Sequence, residues 1–314
     1  MARVLIALAM YRGAGHIGAQ LDSIAAQSHG DWRLIVSDDG PDDGPDDGGP
    51  AIVHAFATRW AEGRVTYVTG PRVGATRNFL SLITHARPDE FLSLADQDDV
   101  WRPDKLERAL AVLADTPRAG LYSARTTICD PDLRPLAGSR RFSGPFDFRN
   151  ALVQAVTAGN TCVLTPPAVA LAAAGAGAAA AAGIESHDWW LYQLISGAGM
   201  TVLRDDAEVL LYRQHPGNLK GRNDTLAAMR SRLGQLFDGD YAGWLHANIT
   251  ALTAMDGALT AESRRLLAGF DAALSLPGWR AAPAMARLGL RRQTMAGNAA
   301  LYAAALAGRL RRRG

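Results

Sequence analysis

At 314 residues the chain can bury a large core, as one big domain or two moderate ones. Lys and Arg number 33 against 31 Asp and Glu, a formal charge of +2 that is too nearly balanced to mark a nucleic-acid-binding protein by bulk electrostatics. A 48% share of hydrophobic residues with 20% charged excludes a disordered chain, and the two cysteines, Cys129 and Cys162, form no Cys-x-x-Cys pair, which argues against a disulfide scaffold or a cysteine zinc site and suits a reducing cytoplasm.

Residues 4–9 are a short apolar run without a cleavage-site pattern, so they are expected to form a first strand and not a signal peptide. There follow a helix over 17–26, a strand over 33–37, a helix over 52–61, a strand over 65–69, a helix over 76–86, a strand over 91–94 and a helix over 103–114. Such βα repetition calls for an α/β fold with a mostly parallel central sheet flanked by helices. Ligands then bind beyond the carboxyl ends of the strands, so the informative loops are those after strands one, two and four. Past Gly120 the alternation becomes irregular. The uncharged stretch 166–184 is mostly Ala and Gly and begins Pro-Pro, which reads as an Ala-rich helix or loop and not a membrane span. From about Thr225 strand patterns vanish and helix-like spacing takes over. The expected division is therefore 1–223, in two halves at 1–115 and 116–223, followed by a helical region at 224–314.

The sequence Leu92-Ser93-Leu94-Ala95-Asp96-Gln97-Asp98-Asp99 delivers three carboxylates at the end of an apolar strand. Two acids separated by one residue can share a divalent cation and, through it, a diphosphate, although an acidic turn before a helix would look the same. Val36-Ser37-Asp38-Asp39-Gly40 repeats the arrangement after strand two, where acids can accept from a base or a ribose. Arg77 and Asn78 open the helix after strand three, where a guanidinium and amide hydrogens can meet phosphate. In His187-Asp188-Trp189-Trp190 a carboxylate stands beside two indoles; an apolar wall destabilises the ionised form and raises basicity, which suits a general base, while one Trp is expected to be a core anchor. His215, after another strand, can serve as a metal ligand. Gly13-Ala14-Gly15-His16-Ile17-Gly18, with Asp38 or Asp39 some way beyond, fits a dinucleotide fingerprint and leaves an NAD-dependent oxidoreductase as the alternative. Against it, Met10-Tyr11-Arg12 separate the strand from the first Gly, and the Asp96–Asp99 cluster is left without a task. A non-catalytic glycan-binding protein is a further alternative, but it would need no paired acids.

The ordered set resembles the family-two inverting glycosyltransferases of the GT-A fold, especially bacterial rhamnosyltransferases, over residues 3–223. It comprises Met10-Tyr11, the helix 20–27, Val36–Gly40, Ala95–Trp101, Gly159-Asn160-Thr161, His187–Trp190 and Tyr212–His215. The resemblance implies that Tyr11, Asp38 and Arg77 contact the nucleotide with Asp39 close by, and that Asp96 reaches the ribose or the sugar. It also implies that Asp98 binds Mg2+ or Mn2+ with His215 as a second ligand, and that Asp188 is the catalytic base. Asn160, Trp189 and Trp190 are placed on the acceptor side. The donor implied is a dTDP- or UDP-sugar, tilted toward dTDP-rhamnose, and the acceptor a glycan or lipid-linked hydroxyl in cell-surface polysaccharide synthesis of the bacterial envelope. The repeated Gly-Pro-Asp-Asp at 40–43 and 44–47 departs from the short family loop, and the Gln-x-x-Arg-Trp motif of processive members is missing, which favours single addition.

After Asp271 there is no acid, but Arg280, Arg287, Arg291, Arg292, Arg309, Arg311, Arg312 and Arg313 stand among Leu, Ala and Met. Such a basic amphipathic stretch either docks on the catalytic domain or lies peripherally on the cytoplasmic face of the inner membrane.

Overall fold

The computed structural model describes residues 2–40, 47–214 and 239–311. His215, the domain boundary expected at 223/224, Arg312, Arg313 and most of the repeated Gly-Pro-Asp-Asp loop lie outside the described residues.

The first half follows the expected winding: β1 (Val4–Met10), α1 (Ile17–Ala25), β2 (Trp32–Asp38), α2 (Gly49–Ala57), β3 (Val65–Thr69), α3 (Ala75–Ile83), β4 (Phe91–Asp96), β5 (Val100–Trp101) and α4 (Lys105–Ala114). Next come β6 (Ala119–Cys129), β7 (Pro135–Gly138), α5 (Phe148–Ala151), a 3-10 turn (Gly159–Thr161) and β8 (Val163–Leu164). They are followed by α6 (Pro166–Ala182), α7 (His187–Gly197) and β9 (Thr201–Arg213). The C-terminal region supplies α8 (Asp240–Thr253), α9 (Ala261–Ser275), α10 (Gly278–Arg287) and α11 (Met295–Leu306). The Ala-rich run is thus a helix, begun by Pro166 and Pro167 where a missing N–H costs nothing and ended by Gly183 in the left-handed region. No described helix is long and apolar enough to cross a membrane.

Strand order is β3-β2-β1-β4-β8-β6-β9-β5, with β7 on β6. β3, β2, β1 and β4 are all parallel, as the βα alternation requires. Beyond β4 the sheet is mixed: β8 is antiparallel to both β4 and β6, while β6 and β9 run parallel. The chain reverses at β1, whose neighbours are β2 on one side and β4 on the other, so the crevice beyond their carboxyl ends is the topological switch point of the parallel half. Two apolar layers cover the sheet. One, around Ile6, Leu8, Ile17, Leu21, Val53 and Leu106, lies under α1, α2 and α4. The other joins α3, α6 and α7 to the C-terminal helices, from Leu5 through Trp190 and Phe270 to Leu310.

Candidate functional site

Sheet register brings the acidic loops together. Ala9 is paired with Ser37 on one side and Asp96 on the other, and Met10 with Asp38, so Asp38 and Asp96 leave the same rim with β1 between them. At one strand spacing per step their backbones stand roughly 10 Å apart. The Gln97 amide closes the gap. Its Oε1 accepts from Tyr11 N (2.8 Å) and its Nε2 donates to Tyr11 O (2.9 Å), tying the loop after β1 to the loop after β4. Tyr11 itself projects from the rim and is largely exposed.

The carboxylates divide their tasks. Asp38 accepts from Gly40 N (2.9 Å) and from Tyr67 Oη (2.8 Å). Asp39 is buried and accepts from the backbone N–H groups of Arg72 and Gly74 (2.7 Å to the latter), so it shapes the turn that leads into α3. Asp39 therefore ties the loop after β2 to this turn. Arg77 is exposed on the first turn of α3, whereas its neighbour Asn78 is buried and donates to Ser37 O (3.0 Å). Asp96 and Asp98 are half-buried at the rim, but Asp99 points inward, fully enclosed, with Oδ2 accepting from Asn160 Nδ2 (2.7 Å). Burial, reinforced by Asp96 and Asp98, pushes the Asp99 carboxyl well above the usual range, so the third acid of the motif is a structural one.

Among the described residues no three His, Cys, Asp or Glu side chains gather into a closed metal cage. The rim's donor set suits a hard cation shared with a substrate: two carboxylates on alternate residues, Asp96 and Asp98, with phosphate and water oxygens completing the shell.

The turn Gly159–Thr161 connects this rim to Asp188. Asn160 holds Asp99, while Gly159 is pressed so closely against the start of α7 that an added Cβ would lie 2.6 Å from His187 Nε2 and 3.6 Å from Asp188 Cβ. Two consecutive residues thus touch the acidic loop and the candidate base. Asp188 Oδ1 accepts from Ser186 Oγ and Trp189 N (2.8 Å), and Thr157 Oγ1 donates to Asp188 O (3.0 Å), which fixes the carboxylate at the helix N-terminus. The sequence motifs contain Gln97 and Gly159 but assign a role only to Asn160 and Asp188, and Ser186 stands outside every motif, next but one to Asp188.

Both indoles depart from the acceptor-side expectation. Trp190 is wholly enclosed against Gly175, and Trp189 is 4% exposed, donating from Nε1 to Ala151 O (2.7 Å) and stacking with Tyr241 at 6.0 Å. Neither ring offers a face to a sugar; both anchor α7 in the core because its circumference is covered by α3, α5, α6 and α8 and by β6 and β9. Gly13 also finds a different use from the dinucleotide fingerprint: an added Cβ would lie 2.4 Å from Gln97 Oε1, so the bare position makes room for the clamp.

The family model for glycosyl transferase family 2 matches residues 6–164, about half of the chain. A Shigella flexneri protein, dTDP-rhamnosyl transferase RfbG, is 27% identical over 239 residues, covering 72% of this chain and 78% of its own. S. aureus TarS 1-349, solved in complex with UDP-GlcNAc, aligns over 98% of this chain and 90% of its own at 12% identity and a TM-score of 0.52. Mannosyltransferase PcManGT from Pyrobaculum calidifontis, in complex with GDP-Man and Mn2+, aligns over 98% and 86% at 19% identity and a TM-score of 0.49. At such identity the TarS likeness speaks for the GT-A fold.

Proposed function

The chain belongs to glycosyl transferase family 2, and from that premise we propose that it moves a sugar from a pyrimidine-diphosphate donor to a hydroxyl of a glycan or lipid-linked acceptor, with inversion. One observation carries this reading: sheet register and the Gln97 clamp gather Tyr11, Asp38, Asp96 and Asp98 on one rim, and the Gly159-Asn160 turn joins that rim to Asp188. The similarity to a dTDP-rhamnosyl transferase favours dTDP-rhamnose over a UDP-sugar.

In this scheme Tyr11 and Asp38 hold the base and ribose, with Asp39 fixing the turn beside them, and Asp96 reaches the ribose or sugar. Asp98, with Asp96 beside it, would hold Mg2+ or Mn2+, which supplies positive charge to the donor's diphosphate. Asp188 takes the proton of the acceptor hydroxyl as its oxygen bonds to the anomeric carbon. The bond from that carbon to the phosphate oxygen breaks, and its electron pair leaves with the diphosphate, where Arg77 balances the growing charge. Attack opposite the leaving group inverts the anomeric centre. The basic C-terminal region favours work at the cytoplasmic face of the inner membrane, in envelope polysaccharide synthesis.

Calorimetry of UDP and dTDP, each with and without Mn2+, tests the donor side. Metal-dependent binding should be lost in Asp98→Ala, while Asp188→Asn should keep binding and lose transfer by about a hundredfold or more. Metal-independent binding, or an Asp188→Asn enzyme that still turns over, would remove those residues from their roles.

A further inference from the structure

α10 and α11 pack antiparallel, with Gly278 at the start of one against the end of the other: an added Cβ would lie 2.0 Å from the Leu306 carbonyl oxygen. The inner side of the pair, with Met285, Leu301, Ala304 and Ala305, is buried in the shared core. At the end where Gly278 meets Leu306, however, two large apolar side chains are turned out, Trp279 at 64% exposure and Leu306 at 59%. The Arg280 guanidinium stacks over the Trp279 ring, 4.5 Å from its centroid. Arg309 and Arg311, both exposed, follow Leu306 directly. Two other arginines of the region are engaged inward, Arg291 with Asp147 and Arg292 over the Tyr241 ring. Docking the helices on the core therefore does not account for the outward set.

We propose that this end of the α10–α11 pair is a docking surface for an anionic lipid bilayer, with Trp279 and Leu306 entering the headgroup region and Arg280, Arg309 and Arg311 meeting lipid phosphates. Charge complementarity selects this occupant: beyond Asp271 the sequence has no carboxylate to oppose a negative surface. An indole with a stacked guanidinium matches an interface that is apolar on one side and charged on the other. The surface deepens the membrane-side reading given above and rests on it only for its purpose, since lipid contact is measured without donor or acceptor.

The test is co-sedimentation of the full chain with vesicles of phosphatidylcholine alone and of phosphatidylcholine mixed with phosphatidylglycerol, at low and high salt. Binding should require phosphatidylglycerol and weaken with salt. The triple variant Arg280→Gln, Arg309→Gln, Arg311→Gln should bind about a hundredfold more weakly. Trp279→Ser with Leu306→Ser should lose binding while retaining the wild-type melting temperature, and the blue shift of tryptophan emission on binding should vanish in Trp279→Phe. Absence of binding to the anionic vesicles at low salt overturns the proposal. So does binding that these variants leave intact, or loss of a self-associated form, in place of lipid binding, in the serine double variant. Transfer activity measured on a soluble acceptor separates this outcome from failure of the glycosyltransferase scheme.

Discussion

Lys105 is sealed beneath the acidic loop, its Nζ 3.4 Å from the centroid of the Trp101 ring and 3.0 Å from Ser93 Oγ. Burial pulls its pKa from 10.5 to about 7 against the opposing pull of Cys162, Asp99 and Asp96. Between those two values the unfolded chain holds a proton that the folded chain has released, so this group makes the unfolding free energy rise with pH, by up to ~1.4 kcal/mol per unit. That contribution is lost as pH falls through 7. Denaturant unfolding across this window should therefore show a steeper climb in the native protein than in Lys105→Met, which fills the same space without a titrating group. Parallel curves would mean that Lys105 keeps its ordinary proton affinity. In the sequence, Asp99 is one of three equivalent acids and Lys105 a residue of an amphipathic helix start. Asp99 is held inward by Asn160, dozens of residues away, and Lys105 by Ser93 and the Trp101 ring, partners that no local pattern announces.

The parallel half was legible as elements because each strand is a short apolar run and each helix has one apolar face; β3 spans the residues expected of it, and the other bounds differ by a few residues. β9 was harder to bound because it carries Arg204, Asp205, Asp206 and Glu208, a composition that reads as loop. Partners elsewhere compensate: Arg108 pairs with Asp205 (2.7 Å) and Arg125 with Glu208 (3.1 Å). Likewise the two-residue β8 exists only through its ladders with β4 and β6. The rim clamp is a similar long-range fact, and it makes a prediction. In Gly13→Ala the new methyl would meet Gln97 Oε1 at 2.4 Å and Met10 Cγ at 2.9 Å, and the cheaper response is for the flexible amide to swing away. Two hydrogen bonds to Tyr11 would be lost, about 1 kcal/mol each. Nucleotide affinity should fall by roughly tenfold or more, and Gln97→Ala should reproduce the loss without the clash. Unchanged affinity in both variants would show that the clamp does not position Tyr11 for binding.

The helices after residue 239 are woven into the α/β part of the fold and do not merely follow it. Tyr241 on α8 donates to Val153 O (2.6 Å) and stacks on Trp189, the residue next to Asp188. Asn150 donates to Arg291 O (2.9 Å), and Arg149 pairs with Glu262 (2.9 Å), so the α5 segment is held from both α9 and the α10–α11 connection. Removing only the hydroxyl in Tyr241→Phe leaves the Val153 carbonyl without that donor in a buried place, a cost of about 1–3 kcal/mol. Removing the ring in Tyr241→Ala adds a cavity beside Trp189 and should cost about 3–5 kcal/mol. Because one apolar cluster runs from Leu5 to Leu310, both losses should lower a single unfolding transition seen alike by calorimetry and by tryptophan emission. On the proposed scheme the alanine variant should also lose transfer activity before it loses nucleotide binding, since α7 carries the proposed base Asp188 while the proposed nucleotide rim belongs to the opposite half of the sheet. Two separate transitions, with only the lower one shifted, would instead make the C-terminal helices an independent unit and break the link between their packing and Asp188.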